Sequence, residues 1–402
     1  MRILWLSHFV PYPPKGGNRQ RSYYLLRELA REHEVHLLML DPRYPPPCEE
    51  VEDERPVLEK VVASVERIPL KRGKGICGKA SQAAANLWKR SPVTADLLYE
   101  PEAERLIHDI IRQKEIDAVH VDTVDLMIYG HCFERIPFVL NHHNIESMLL
   151  ERLSSSKRNP LLRWYYRFQA KKVRTEEARN APQARLNVVV SELDGAELSK
   201  IAPECRWEVV ENGADTDYFQ PLTDPGDKEP PTLIWTGGMS WHPNRDAVRF
   251  FLTEVWPGLV KEIPDLRLFL IGRNPPKEAR TAPHAGRIEA PGFVDDVRRY
   301  LARSHVFIVP IRVGGGTRLK IVDAMAAGKA VVSSAIGYEG LRVVDGEHLV
   351  RADSPEEYQD KIERLLKDRS LRKDLGKRAR SLVEKEYAWQ VVGEKIRKVY
   401  SE

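Results

Sequence analysis

The segment Gly314-Gly315-Gly316-Thr317-Arg318-Leu319-Lys320 sets three glycines, a hydroxyl and two cations within seven residues. It follows an apolar run ending at Pro310 and opens an amphipathic stretch that stops at Gly328, a favourable residue just past a helix end. Cations in the first turn of a helix are misplaced, because that end already carries partial positive charge. An anion bound there reverses the argument: free N–H groups, a glycine loop that permits close approach and two cations together can hold a diphosphate. Gly315, Gly316, Thr317, Arg318 and Lys320 are therefore the candidate anion-binding residues. Asp323, three residues past Lys320 on the same helix, could accept hydrogen bonds from ribose hydroxyls. The plainer alternative is a surface ion pair between Lys320 and Asp323, with glycines that merely turn the chain.

Two further groups of residues could do chemistry. Asn141-His142-His143-Asn144 follows the apolar run Phe138 to Leu140, so His143 either reaches a ligand or caps a strand end, with Glu146 a possible partner. Gly16 and Gly17 stand where a first strand gives way to a helix that Asn18 could cap, and glycine there lets a phosphate or sugar approach the backbone. Asp215-Thr216-Asp217 has the form of a metal-holding pair but sits inside an Asn-Gly-x-Asp loop, so no metal is expected. No dinucleotide fingerprint, Walker A, G-x-S-x-G or H-E-x-x-H run is present, and no cofactor is expected.

These residues need a frame. Apolar strand-like runs alternate with amphipathic helical stretches in both halves, the pattern of a doubly wound α/β protein. In the first half, strands are expected at Arg2–Ser7, Glu34–Leu40, Ala118–Val121, Phe138–Leu140 and Arg185–Ser191, with a helix over Arg19–Glu32. In the second half the series is Thr232–Thr236, a helix Asp246–Leu259, Leu266–Gly272, His305–Pro310, a helix Thr317–Ala327 and Ala330–Ser333. The proline-rich stretch 221–231 reads as a linker. Residues 1–184 and 185–375 are expected to be two Rossmann-like domains, and 376–402 a helix packing back on the first.

A length of 402 residues suits two domains, and 42% hydrophobic with 30% charged residues suits a soluble globular protein. A net charge of +4 is mild, so nucleic acid is not an expected partner. Cys48, Cys77, Cys132 and Cys205 lie far apart and are expected as free thiols of a reducing cytosol. The apolar start gives way at Ser7 and reads as a buried strand, and no stretch approaches a spanning helix, so a cytoplasmic location is expected. Between residues 152 and 179 the chain is rich in Arg and Lys interleaved with Trp164, Tyr165, Tyr166 and Phe168. Such a helix either packs its aromatics on the core or touches the inner face of a membrane.

The glycine-rich segment, with Val331-Val332-Ser333 after it, resembles the donor-site motif of the retaining glycosyltransferases of family 4 (group 1), in the branch carrying G-G-T-R-x-K. Pro13-Pro14-Lys15-Gly16-Gly17 is similar to that family's N-terminal glycine loop, and Trp235-Thr236-Gly237-Gly238-Met239 to the first strand-loop of its donor domain. Val189 to Glu192, Val210 to Asp215, Pro291 to Asp295 and Tyr387 to Trp389 match further elements in the same order.

The resemblance implies the GT-B fold, two Rossmann-like parallel-sheet domains facing across a cleft. It implies a metal-independent, retaining hexosyl-type transfer from a nucleoside-diphosphate sugar to a glycan or lipid-linked acceptor, in polysaccharide or glycolipid assembly. Gly16, Gly17 and Gly238 would then line the donor site with the residues named above, Arg318 and Lys320 would stabilise the leaving diphosphate, and His143 would orient the acceptor or donor sugar. One departure stands out: Gly315 occupies the place of the first carboxylate of the Glu-x7-Glu pair that many members carry. Two other readings remain: a degenerate nucleotide-sugar-binding protein, and a nucleotide-sugar 2-epimerase of the same architecture.

Overall fold

The computed structural model describes residues 1–41, 54–70, 81, 83–225 and 229–401. Cys48, Cys77, the basic stretch 71–79 and part of the expected linker lie outside them. The chain divides into two compact units, Met1–Glu211 with Val392–Glu402, and Asn212–Val391.

The first unit is built on a seven-stranded parallel sheet in the order β3-β2-β1-β4-β5-β6-β7. Its strands are β1 (Arg2–Ser7), β2 (Glu34–Asp41), β3 (Ser64–Pro69), β4 (Ala118–Val121), β5 (Phe138–Asn141), β6 (Leu186–Val189) and β7 (Trp207–Val209). In β1 Ile3, Leu4 and Trp5 are fully buried, as expected of a strand with helices over both faces. Strand order reverses between β1 and β4, whose carboxyl ends lie side by side with Leu6 opposite Val121. In open α/β sheets ligands bind at the carboxyl ends of strands flanking such a reversal.

The second unit repeats the plan with six parallel strands in the order β10-β9-β8-β11-β12-β13. They are β8 (Thr232–Thr236), β9 (Arg267–Ile271), β10 (Ile288–Gly292), β11 (Val306–Val309), β12 (Ala330–Ser333) and β13 (Val350–Arg351). Here the reversal falls between β8 and β11. One apolar core, including Trp235, Phe251, Trp256, Phe269 and Phe307, runs through this unit.

Three expectations need correction. The division expected at 184/185 falls at 211/212, because β6 and β7 extend the first sheet through pairing with β5. The proline-rich stretch is therefore not the connection between the units. At the other end only Val392–Glu402 belongs to the first unit, while 376–391 stays with the second. There Arg397 pairs with Glu28 and Glu32, Lys395 with Glu211, and the Tyr400 hydroxyl meets His120 Nδ1 at 2.7 Å. Finally, β3, β7, β10 and β13 had no counterpart in the sequence reading. They are short or polar edge strands, with patterns such as Ser-Val-Glu-Arg-Ile-Pro, so their apolar signal is weak.

Candidate functional site

In the first unit the residues gather at the reversal point. His8 follows β1, Asp122 follows β4, and Asn141 to His143 end β5. Asp122 is fully buried, and it accepts hydrogen bonds from the Ser22 hydroxyl at 2.9 Å, Asn141 Nδ2 at 3.1 Å and the Ser7 hydroxyl at 3.3 Å. His143 Nε2 stands 3.2 Å from Asp122 Oδ1, and His8 Nδ1 3.9 Å from Oδ2. Burial alone raises the Asp122 carboxyl, but His143, then His8 and His120, outweigh it and hold it below its ordinary value. Burial pushes the His8 imidazole down to about 4, so it is neutral near pH 7.

His142 turns the other way. Its Nε2 meets Asn187 Oδ1 at 3.0 Å, and burial lowers the ring to about 4, which marks it as part of the sheet interior. Glu146 does not partner His143; its carboxylate accepts from Asn144 Nδ2 at 3.2 Å, and burial raises it to about 8. Arg21 is buried too: its guanidinium donates to the carbonyls of Val210 and Glu211 and to Asn141 Oδ1, tying the helix Gly17–Leu29 to two strand ends. Gly16 has φ +107°, a conformation that suits glycine, and a Cβ there would meet nothing within 4 Å. The helix begins at Gly17, so Asn18 lies inside its first turn and is not the cap.

His8, Asp122 and His143 offer ligand atoms within 4.8 Å of one another, a donor set that suits a divalent cation. The same carboxylate is, however, already bonded to three neutral donors. Asp215-Thr216-Asp217 is a turn: Asp215 Oδ1 accepts the N–H groups of Asp217 and Tyr218 at 3.1 and 2.9 Å.

In the second unit the loops after β8 and β11 carry the site. Gly237 has φ +131°, and a Cβ there would come 2.6 Å from Lys320 Nζ. That ammonium is partly buried, donates to Asn244 Oδ1 at 3.1 Å and stands 3.7 Å above the Trp235 ring. Asn244 Nδ2 donates in turn to the Gly238 carbonyl at 2.9 Å, so one amide joins glycine loop and lysine. Lys320 makes no ion pair with Asp323 or any other carboxylate among the described residues, which removes the surface ion-pair reading. Burial, and then the nearby Arg318, lowers its pKa well below the usual lysine value.

The helix here is Leu319–Ala326, two residues shorter at its start than expected. Thr317 is held outside it, its hydroxyl accepting from Asn212 Nδ2 at 2.7 Å, and Arg318 occupies the N-cap position. The Arg318 guanidinium folds back on its own loop and donates to the carbonyls of Gly315 and Gly316. A Cβ at Gly314 would meet that guanidinium at 2.4 Å. Gly315 and Gly316 are buried, and Asp323 is partly buried one turn beyond Lys320. Gly238 is open, since a Cβ added there would meet nothing within 4 Å.

The sequence reading missed Asp122, His8 and Asn244. Position could have signalled the first two, since each directly follows a central parallel strand. Asn244 lies in the first turn after a glycine loop, where a side chain returns to the loop carbonyls.

Residues 15–218 match the family described as Glycosyltransferase Family 4, and residues 230–368 that described as Glycosyl transferases group 1. A phosphatidyl-myo-inositol mannosyltransferase of Mycolicibacterium smegmatis is 30% identical over 199 residues, which cover 48% of this chain and 50% of that protein. A sulfoquinovosyl transferase of Arabidopsis thaliana is 24% identical over 73% of this chain and 58% of its own. The chain thus spans about half the length of the curated relatives it matches. Among solved structures, a sucrose-phosphate synthase of Thermosynechococcus elongatus superposes over 100% of this chain and 98% of its own, with a TM-score of 0.73 at 17% identity. The Anabaena protein HepE in complex with UDP and glucose covers both chains fully, with a TM-score of 0.69 at 16% identity. These likenesses establish the GT-B fold.

Proposed function

The chain belongs to glycosyltransferase family 4, which it matches over residues 15–218, and on that premise we propose that it transfers a sugar from a nucleoside-diphosphate donor. The observation that carries the proposal is Lys320: a partly buried ammonium on an aromatic ring, beside a glycine loop, whose only hydrogen-bond acceptor among the described residues is a neutral amide. A cation built this way lacks an anion, and a diphosphate supplies one. Gly237 and Gly238 leave room for the phosphates, and Asp323 would accept from a ribose hydroxyl. Arg318 would swing from the Gly315 and Gly316 carbonyls, whose loop would then also meet the donor.

The acceptor is a glycan or lipid-linked hydroxyl, in keeping with a relative that is by name a phosphatidyl-myo-inositol mannosyltransferase. Its oxygen bonds to the anomeric carbon as the bond from that carbon to the diphosphate oxygen breaks. The acceptor's proton passes to the departing phosphate, and attack on the leaving-group face retains configuration. Positive charge for the leaving group comes from Lys320 and Arg318, without a metal. Removing one such group costs ~10²–10³ in rate. His143, held against Asp122, orients the reacting hydroxyl or the donor sugar, and Gly16 and Gly17 would let the donor approach the backbone.

The test is a thermal-shift titration with UDP, GDP, ADP, CMP and dTDP, with and without EDTA, on the native protein and on Lys320→Ala. One diphosphate should stabilise the native protein, with or without EDTA, and not the variant. Equal stabilisation of both proteins would reject the donor site, and loss with EDTA would reject metal independence. Product anomeric configuration, read by NMR coupling, decides retention.

A further inference from the structure

The helix Pro160–Asn180 changes character along its length. From Gln169 onward one face is buried, through Gln169, Ala170, Lys172, Val173, Glu177 and Asn180. Its first residues, 160–164, are all exposed, although they include Leu161 (78% exposed), Leu162 (48%) and Trp164 (55%). Trp164 stacks on Phe168, 5.5 Å away and within 10° of parallel. Against the middle of the helix, at Gln169 and Lys172, lies a turn in which Trp88 is 94% exposed. The turn is fastened to the same helix: Lys172 Nζ donates to the Asn86 carbonyl at 2.6 Å, and Gln169 Nε2 to Asn86 Oδ1 at 2.9 Å. A chain of contacts, Trp164 to Phe168, Phe168 to Lys172 Nζ at 4.7 Å and Lys172 to Asn86, thus links the exposed end of the helix to the turn that carries Trp88.

The charges around them have one sign. Between Arg152 and Arg174 stand eight Lys and Arg residues and no Asp or Glu. Arg158, Arg167 and Lys171 are exposed and form no ion pair among the described residues; beside Trp88, Arg90 adds a further cation, while Lys89 pairs with Asp96 at 3.2 Å. The helix has no acidic residue in its first turn, so the partial positive charge of that end adds to Arg163. Exposed apolar side chains among cations that are mostly unneutralised are what a soluble face avoids, and what an interface with anionic headgroups requires.

We propose that this surface docks the first unit on an anionic phospholipid bilayer, with Trp88, Leu161 and Trp164 entering the headgroup–acyl boundary. Arg158, Arg163, Arg167 and Lys171 meet the lipid phosphates. Docking is peripheral: no helix among the described residues is long and apolar enough to cross a membrane. The inference stands apart from the transferase reading, since neither donor nor acceptor takes part.

Flotation of the full chain with vesicles of phosphatidylcholine alone, or with about one third phosphatidylglycerol, tests it. The protein should float with the anionic vesicles only, and about 0.5 M salt should release it. Exchanging Arg163 and Arg167 for Gln should weaken partitioning roughly five-fold per residue. Trp88→Ser/Trp164→Ser, checked for an unchanged melting curve, should lose both flotation and quenching of tryptophan fluorescence by brominated lipid. Equal flotation with neutral vesicles, or native flotation of the tryptophan variant, would overturn the proposal. So would salt-sensitive binding without quenching, which would mean electrostatic adsorption, as for any acidic partner.

Discussion

Lys320 Nζ lies 3.1 Å from Asn244 Oδ1, and that amide is the ammonium's only hydrogen-bond acceptor among the described residues. Burial and Arg318 depress the lysine pKa in the free protein. A diphosphate would raise it again, so at a pH above the free-protein value binding takes up a proton. Affinity should be full below the free-protein pKa and fall as pH rises between the free and bound values, by up to about ten-fold per pH unit. Calorimetry of UDP or the preferred diphosphate in two buffers of different ionisation enthalpy measures the uptake. Heats that stay buffer-independent up to the pH at which affinity falls would remove Lys320 from the site.

Gly237 makes room for that lysine. Gly237→Ala meets Lys320 Nζ at 2.6 Å and also places a Cβ at φ +131°. Backbone strain should cost roughly 1–2 kcal/mol of stability, while diphosphate affinity drops by more than ten-fold. A variant that loses stability alone, with native affinity, would show that the lysine moves aside freely.

Asp122 and His143 should act as a unit. Asp122→Asn keeps the shape of the buried group but removes the charge facing His143, so kcat should fall with KM nearly unchanged. The His143→Ala variant should lose a similar factor, and the double variant no more than the worse single change. Multiplying losses would separate the two roles. Activity abolished by EDTA and restored by zinc, but not in His8→Ala, would instead assign the trio to a metal.

Carboxyls in the first unit tie stability to pH. Burial raises Glu146 to about 8 and Glu177 to about 7; Ser147 N–H and hydroxyl donate to Glu177. The folded protein keeps these protons where the unfolded chain, with carboxyls near 4.5, has lost them. Their contribution is complete below about pH 4.5 and is lost as pH rises through 7 to 8, each unit of displacement being worth roughly 1.4 kcal/mol. Denaturant unfolding at about pH 5.5 and pH 8.5 should show lower stability at the higher value. Glu146→Gln should shrink the difference, and an unchanged difference would exclude Glu146 as its source.

What the sequence determined by itself is what short stretches carry. Strand alternation announced two parallel α/β sheets, because a strand covered on both faces must be apolar along its whole length. The glycines before Arg318 and Lys320 marked out a candidate anion site, because loop, helix start and cations are contiguous. What only the tertiary structure decided joins residues far apart: Asp122 with His143 across adjacent strand ends, Asn244 with Lys320, and the last residues with Glu28 and His120. A carboxylate after a strand looks like any loop acid until the sheet order sets it beside a histidine. The strand order 3-2-1-4 is itself a matter of which edges pair, which no local period encodes. For the same reason the unit boundary eluded the linker composition: pairing of β6 and β7 with β5, and not proline content, decides where the first sheet ends.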